Sequence, residues 1–210
     1  MQKKKSVPTD YSAKEGSILE AYLEVAAKEG VERVTLQKVA KAANVPYSSV
    51  HYYFGSEDRD ILHMALCYVA AASEQFMADR IHAASLNPKV NGLKAYIDAK
   101  FEWGRKFPTY ASIFCYFIYQ AGRDAKFRIW NTQLRHAGHA QLRSLILQEI
   151  GKGRYTATKY LDELIDSMQL MLAGGILNEL TTEPPRIDPK AVVVKLVDQY
   201  LVPHKKNDKG

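Results

Sequence analysis

An all-α fold is predicted from three observations. Apolar residues recur at i, i+3, i+4, i+7 through almost the whole chain, each such run is bounded by cap or breaker residues, and no segment alternates as a half-buried strand would. With 210 residues, 47% of them apolar, the chain can bury one or two cores. The expected organisation is a small three-helix head over residues 1–55, whose residues 1–10 form a flexible basic arm, then a larger helical body over 56–203 and a disordered tail over 204–210. About nine helices fill this plan.

The first helix opens on a capping box. Ser12 caps it and Glu15 reaches back to the cap amide. Ile18, Leu19, Tyr22, Val25 and Ala26 form its buried stripe, and Gly30 ends it. Thr35 caps the second helix, and Leu36, Val39, Ala40 and Ala43 give it one narrow apolar face. Asn44 follows as the turn residue, because after Gly it best tolerates the left-handed conformation a helix end requires. Val45 plugs the turn from behind, and Pro46 restarts the chain near helical φ. In the third helix Val50 and Phe54 point inward. Tyr47, Ser48, Ser49, His51, Tyr52 and Tyr53 are left with groups that reach phosphates or base edges.

Two short helices around a tight turn form a helix-turn-helix, whose second helix enters the DNA major groove. Tyr47, Ser48, Ser49 and Tyr52 are the base-contact candidates. Thr35, Gln37, Lys38, His51 and Tyr53 are the phosphate or groove-edge candidates. A duplex partner is therefore expected.

These residues resemble the DNA-binding domain of the TetR (tetracycline-repressor-like) family of bacterial transcription regulators. The matching features are Gly30, Val34-Thr35-Leu36, Val39-Ala40, Ala43-Asn44-Val45 and, most of all, Val50-His51-Tyr52-Tyr53-Phe54-Gly55-Ser56 followed by Ile61-Leu62. The resemblance implies a homodimer on a pseudo-palindromic operator, and a body that binds an unknown small-molecule effector. It implies a cytoplasmic repressor with no cofactor. Three departures stand out: Asn44 where the family usually has Gly, His51 where it often has Tyr, and Glu57 where it commonly places a phosphate-gripping Lys.

Ser56 is expected to cap a fourth helix with an acidic first turn (Glu57, Asp58, Asp60) running through Ile61, Leu66, Val69 and Phe76 to about residue 84. Asn87-Pro88 breaks the chain. Further helices are expected over 90–106, 109–121, 124–150 and 158–180, and a last one starting at Asp188-Pro189. Aromatic residues crowd 101–130. Trp103, Phe107, Tyr110, Phe114, Phe117 and Trp130, with Met168, are candidates to line a pocket for a flat or apolar ligand. The 168–177 stretch is apolar nearly all round, so it needs partners on two sides. One side is expected to be the chain's own core and the other a second copy, the alternative being the central helix of a monomer. Met171, Gly174, Gly175, Val193, Val197 and Tyr200 are the dimer-interface candidates.

Charge agrees with a polyanion partner only locally. The net charge is +6, yet residues 1–60 hold nine basic and nine acidic side chains. Binding then rests on placement, with Lys3, Lys4 and Lys5 on the arm and Lys38 and Lys41 near the turn. Two distant cysteines, Cys67 and Cys115, suggest buried thiols in a reducing cytoplasm. The apolar run at 168–177 is too short to cross a membrane, so no membrane partner is expected. His136 and His139 share a helix face without further ligands nearby, so no metal is expected. No phosphate loop, HExxH, GxSxG or Cys/His cluster points to an enzyme. The competing reading is a helical small-molecule-binding or adaptor protein without DNA binding.

Overall fold

Several helices start where a side chain satisfies their first amides. The computed structural model describes residues 11–56, 60–87, 89–183 and 186–202. Among these are nine α-helices, one 3-10 turn and no strand. In α1 (Ala13–Glu29) the capping box forms in both directions: the Ser12 amide donates to Glu15 Oε2 at 2.8 Å, and the Glu15 amide to Ser12 Oγ at 3.3 Å. Gly30 ends α1 at φ 92°, ahead of the 3-10 turn Val31–Arg33. Thr35 Oγ1 accepts from the Lys38 amide at 3.3 Å and starts α2 (Leu36–Ala42); α3 is Tyr47–Phe54.

α4 (Ile61–Ser85) departs from the expected start. Asp60, not Ser56, supplies the cap: its Oδ1 accepts from the amides of Leu62 at 2.9 Å and His63 at 3.1 Å. Glu57, Asp58 and Arg59 lie outside the described residues, as do the arm and the tail beyond Val202. α5 is Gly92–Lys106. α6 (Pro108–Ala121) takes Pro108 as its first residue, where a missing N–H costs nothing. α7 is Ala125–Gly151. α8 (Leu161–Thr181) begins later than residue 158 because Thr158 Oγ1 accepts from the Tyr160 amide at 3.2 Å, a local bond that competes with helix. Asp188 caps α9 (Pro189–Tyr200) through the Lys190 and Ala191 amides.

The chain forms two compact units. The first comprises residues up to Gln75 together with Phe107–Asn131, the second Phe76–Lys106 together with residues from Thr132 onward. In the first, α6 packs on α1 and on the 3-10 turn, and α1, α2 and α3 pack in series. Ile18, Leu19, Val39, Val50, Ala65, Val69, Ile113 and Phe117 are fully covered there. In the second, α5, α8 and α9 pack together over Leu93, Ile97, Phe101, Leu164, Ile165, Met168, Val193 and Val197. Each such aliphatic or aromatic side chain contributes roughly 1.5–3 kcal/mol when fully buried.

That second core corrects three dimer-interface candidates. Val193 and Val197 are wholly buried within the chain. Gly175 is also buried, and a Cβ there would lie 2.9 Å from Pro189 Cβ and 3.0 Å from Phe101 Cζ. The close approach expected of the glycine is real, but its partners are α5 and α9. Gly174 is exposed, with nothing within 4 Å of a Cβ. Met171 and Tyr200 are half-buried. By length and composition α4 could cross a membrane. Its Ala65, Leu66, Val69 and Met77 are instead buried in protein.

Candidate nucleic-acid interface

The turn between α2 and α3 forms as its residues dictate. Asn44 takes φ 52°, the single positive φ among described non-glycine residues. The Val45 amide then donates back to Ala40 O at 3.0 Å and closes the turn. Pro46 is extended at ψ 144° and offers no side-chain cap, so no side chain covers the amides that open α3. Val50 and Phe54 are buried against the head's core beside Val39 and Ala40.

The other face of α3 is open. Tyr52 is 81% exposed and Tyr47 48%. Ser48 and His51 are exposed, and Ser49 and Tyr53 half-buried. Tyr47 and His51 lie 6.0 Å apart between ring centroids, and Tyr52 meets Tyr53 edge-on at 5.1 Å. This leaves two phenols, an imidazole and a serine hydroxyl on a rigid helix, each able to donate to acceptor oxygens. Thr35 and Gln37 are exposed on α2.

Lys38 is less free than the sequence suggests. Its Nζ lies 2.5 Å from Glu29 Oε2 and donates to Arg33 O at 3.0 Å. The pairing crosses from α2 to the end of α1, which no local pattern reveals. Lys41 stays exposed.

Residues 18–58 match the model of the family described as bacterial regulatory proteins, tetR family. This chain matches the TetR family over its helix-turn-helix and carries the fold of TetR regulators. A TetR transcription regulator from Haloarcula marismortui is similar at TM-score 0.73 and 18% identity, over 91% of this chain and 100% of that one. A TetR-family member from Streptomyces coelicolor is similar at TM-score 0.68 and 20% identity, over 88% and 98%. The fatty acid degradation regulator FadR from Bacillus halodurans is similar at TM-score 0.69 and 16% identity, over 90% and 94%. No curated protein matches the chain in sequence.

The aromatic candidates in this TetR-like body divide between the units. Trp103 and Met168 belong to the second, both buried. Phe107, Tyr110, Phe114, Phe117 and Trp130 belong to the first. There Phe107 stacks on Tyr110 at 5.3 Å, and Phe117, Phe127 and Trp130 meet edge-on in sequence at 5.3 Å per step. Trp130 stacks on His63 at 3.5 Å with 4° between planes, and Lys126 Nζ lies 4.8 Å from the Trp130 ring centre.

Phe127 belongs to the aromatic stretch at 101–130 that the sequence marks, whereas His63 is a member of this cluster that the sequence reading missed. His63 Nε2 lies 3.5 Å from Cys67 Sγ, while its Nδ1 is buried with no hydrogen-bond partner among the described residues. Burial lowers the His63 pKa from 6.5; Asp60 opposes that shift and Lys126 adds to it. Burial raises the Cys67 and Cys115 thiols. It also pushes the Tyr68 hydroxyl up to about 12, with help from Glu20. Burial thus disfavours the charged forms of His63 and of the two thiols, and the cluster offers chiefly aromatic surface with the Lys126 ammonium over Trp130. Among the described residues no group of three His, Cys, Asp or Glu could hold a metal ion. His139 instead faces Asp162 at 3.6 Å.

Proposed function

We propose that the chain is a ligand-responsive DNA-binding transcription regulator, a cytoplasmic homodimeric repressor released by a small, largely apolar or aromatic molecule. The observation that carries this reading is the divided face of α3: Val50 and Phe54 anchor it while Tyr47, Ser48, His51 and Tyr52 stand in solvent. In this reading Tyr47, Ser48, Ser49 and Tyr52 meet base edges. Thr35, Gln37, His51 and Tyr53 meet phosphates or groove edges, and Lys38 joins them when it leaves Glu29. The aromatic run from Phe107 to Trp130 supports an apolar effector, and the likeness in fold to a fatty acid degradation regulator agrees with one.

Dimerisation uses the outer face of α8. Leu170, Ala173, Gly174 and Leu177 are exposed at helical spacing, an apolar stripe that water covers poorly. A two-fold pair presents two α3 helices to a pseudo-palindromic operator with half-sites about 34–36 Å apart. The effector weakens DNA binding only by its own preference for the arrangement that does not fit the operator.

The test is an anisotropy titration against a pool of randomised duplexes at two salt concentrations, followed by sequencing of the retained duplexes. Binding should weaken with salt by ~0.9 log units per log unit for each phosphate contacted, and the retained pool should show a two-fold repeat. Salt-insensitive or absent binding would leave the small-molecule-binding reading in its place.

A further inference from the structure

Within the second unit a cleft of about 320 Å³ lies at the ends of α4 and α7, lined by Ile81 and Ser85 from α4 and by Leu145 and Glu149 from α7, with Lys152 and Arg154 completing its wall. Glu149 is wholly buried. It accepts from the Gly92 amide at 3.2 Å, Lys152 Nζ at 2.7 Å and Arg154 Nη1 at 2.6 Å. Arg154 Nη1 also donates to Val90 O. A Cβ on Gly92 would come within 3.0 Å of Glu149 Oε1, so the glycine lets the carboxylate sit against the first turn of α5.

Two cations thus converge on one carboxylate, and the lining of the cleft carries one positive charge in excess. Glu149 holds both cations in place, which lowers the entropy lost when they meet a ligand. The Lys152 side chain remains 47% exposed although anchored. It has three donors, of which one serves Glu149. Ile81 and Leu145 supply apolar wall.

We propose that this cleft binds a small organic anion, a carboxylate on a short apolar body, separately from any effector held by the aromatic residues. Lys152 and Arg154 receive the carboxylate, and Ile81 and Leu145 cover the hydrocarbon. A single excess charge and the apolar wall of Ile81 and Leu145 favour a carboxylate over a phosphate dianion. The volume lies at the small end of ligand pockets, so the molecule is compact.

The test is calorimetric titration of the full chain with three probes of one shape: hexanoate, hexanamide and hexylamine. Hexanoate should bind saturably, with the other two roughly tenfold weaker or worse. Lys152→Gln should weaken hexanoate by a similar factor. Ser85→Trp places an indole in the cleft from the α4 side and should abolish binding. Ser85→Trp should melt near the parent. Lys152→Gln, which takes one of two cations from the buried Glu149, should melt lower but keep the helical spectrum, and DNA binding, measured in parallel, should persist in both. Equal binding of the three probes, no saturable binding of hexanoate, undiminished affinity after Lys152→Gln, or binding that survives Ser85→Trp overturns the proposal.

Discussion

Asn44 holds φ at 52°, where a Cβ crowds the following carbonyl, and the closure of the Val45 amide on Ala40 depends on it. Asn44→Ala should therefore cost about 1–2 kcal/mol, a fall of roughly 2–8 °C in Tm for a chain of this size, while Asn44→Gly should be neutral or slightly stabilising. Thermal unfolding followed by circular dichroism checks both. This constraint was legible in the sequence because it is local: one residue type answers to one backbone angle. His63 was not legible, because Trp130 and Lys126 come from α7 and only folding sets them against it. Its folded pKa lies below 6.5, so as pH falls protons bind the unfolded chain first. The stability it contributes is complete above about pH 6.5 and is lost as pH drops through the folded value. His63→Phe keeps a ring on Trp130 and removes both the titration and the unpartnered Nδ1. Its Tm should fall less steeply with acidification below pH 6.5 than that of the parent; parallel slopes would contradict the assignment.

Pairs of helices explain the glycines of α8 differently from what their adjacency suggests. Periodicity and composition mark both Gly174 and Gly175 as sites of close packing, but a sequence pattern carries no information on which neighbour approaches. Gly175 faces Pro189 and Phe101, whereas Gly174 faces nothing within 4 Å. The same blindness placed Val193 and Val197 at a dimer surface, although α9 turns both into the chain's own core. Cap positions failed for a related reason. Ser56 and Asp60 are both competent caps, and only the folded path of the chain selects Asp60. Gly175→Ala should force α8 away from α5 and α9 and cost about 1–3 kcal/mol. Gly174→Ala relieves a helix-interior glycine and, within one chain, should gain up to about 1 kcal/mol. Denaturant titration of the two variants side by side separates these outcomes; equal effects would mean that the packing of α8 has been misassigned.

For the whole molecule, affinity for DNA has to come from geometry, since the head holds as many acidic as basic residues through residue 60. Lys38, one of the two basic side chains that the sequence reading places near the turn, is already engaged by Glu29, while Lys41 stays exposed. In the proposed function one head therefore has few phosphate contacts to offer, and specific binding needs two heads held at a fixed separation. The proposed dimer surface supplies that spacing. It is made of Leu170, 61% exposed, and Leu177, 43% exposed, beside the small residues Ala173 and Gly174. None of these four forms the interior of α8, so charged replacements leave the fold of one chain intact. The double variant Leu170→Glu, Leu177→Glu should run as a monomer in light scattering coupled to size exclusion, with an unchanged helical spectrum. Its affinity for the selected operator should fall by at least about a hundredfold, the lower range of avidity gained from two linked sites. Its log–log salt slope should drop to about half, because only one head contacts phosphates at a time. A variant that stays dimeric would move the interface off this stripe. A monomer that keeps full affinity would remove the need for paired heads.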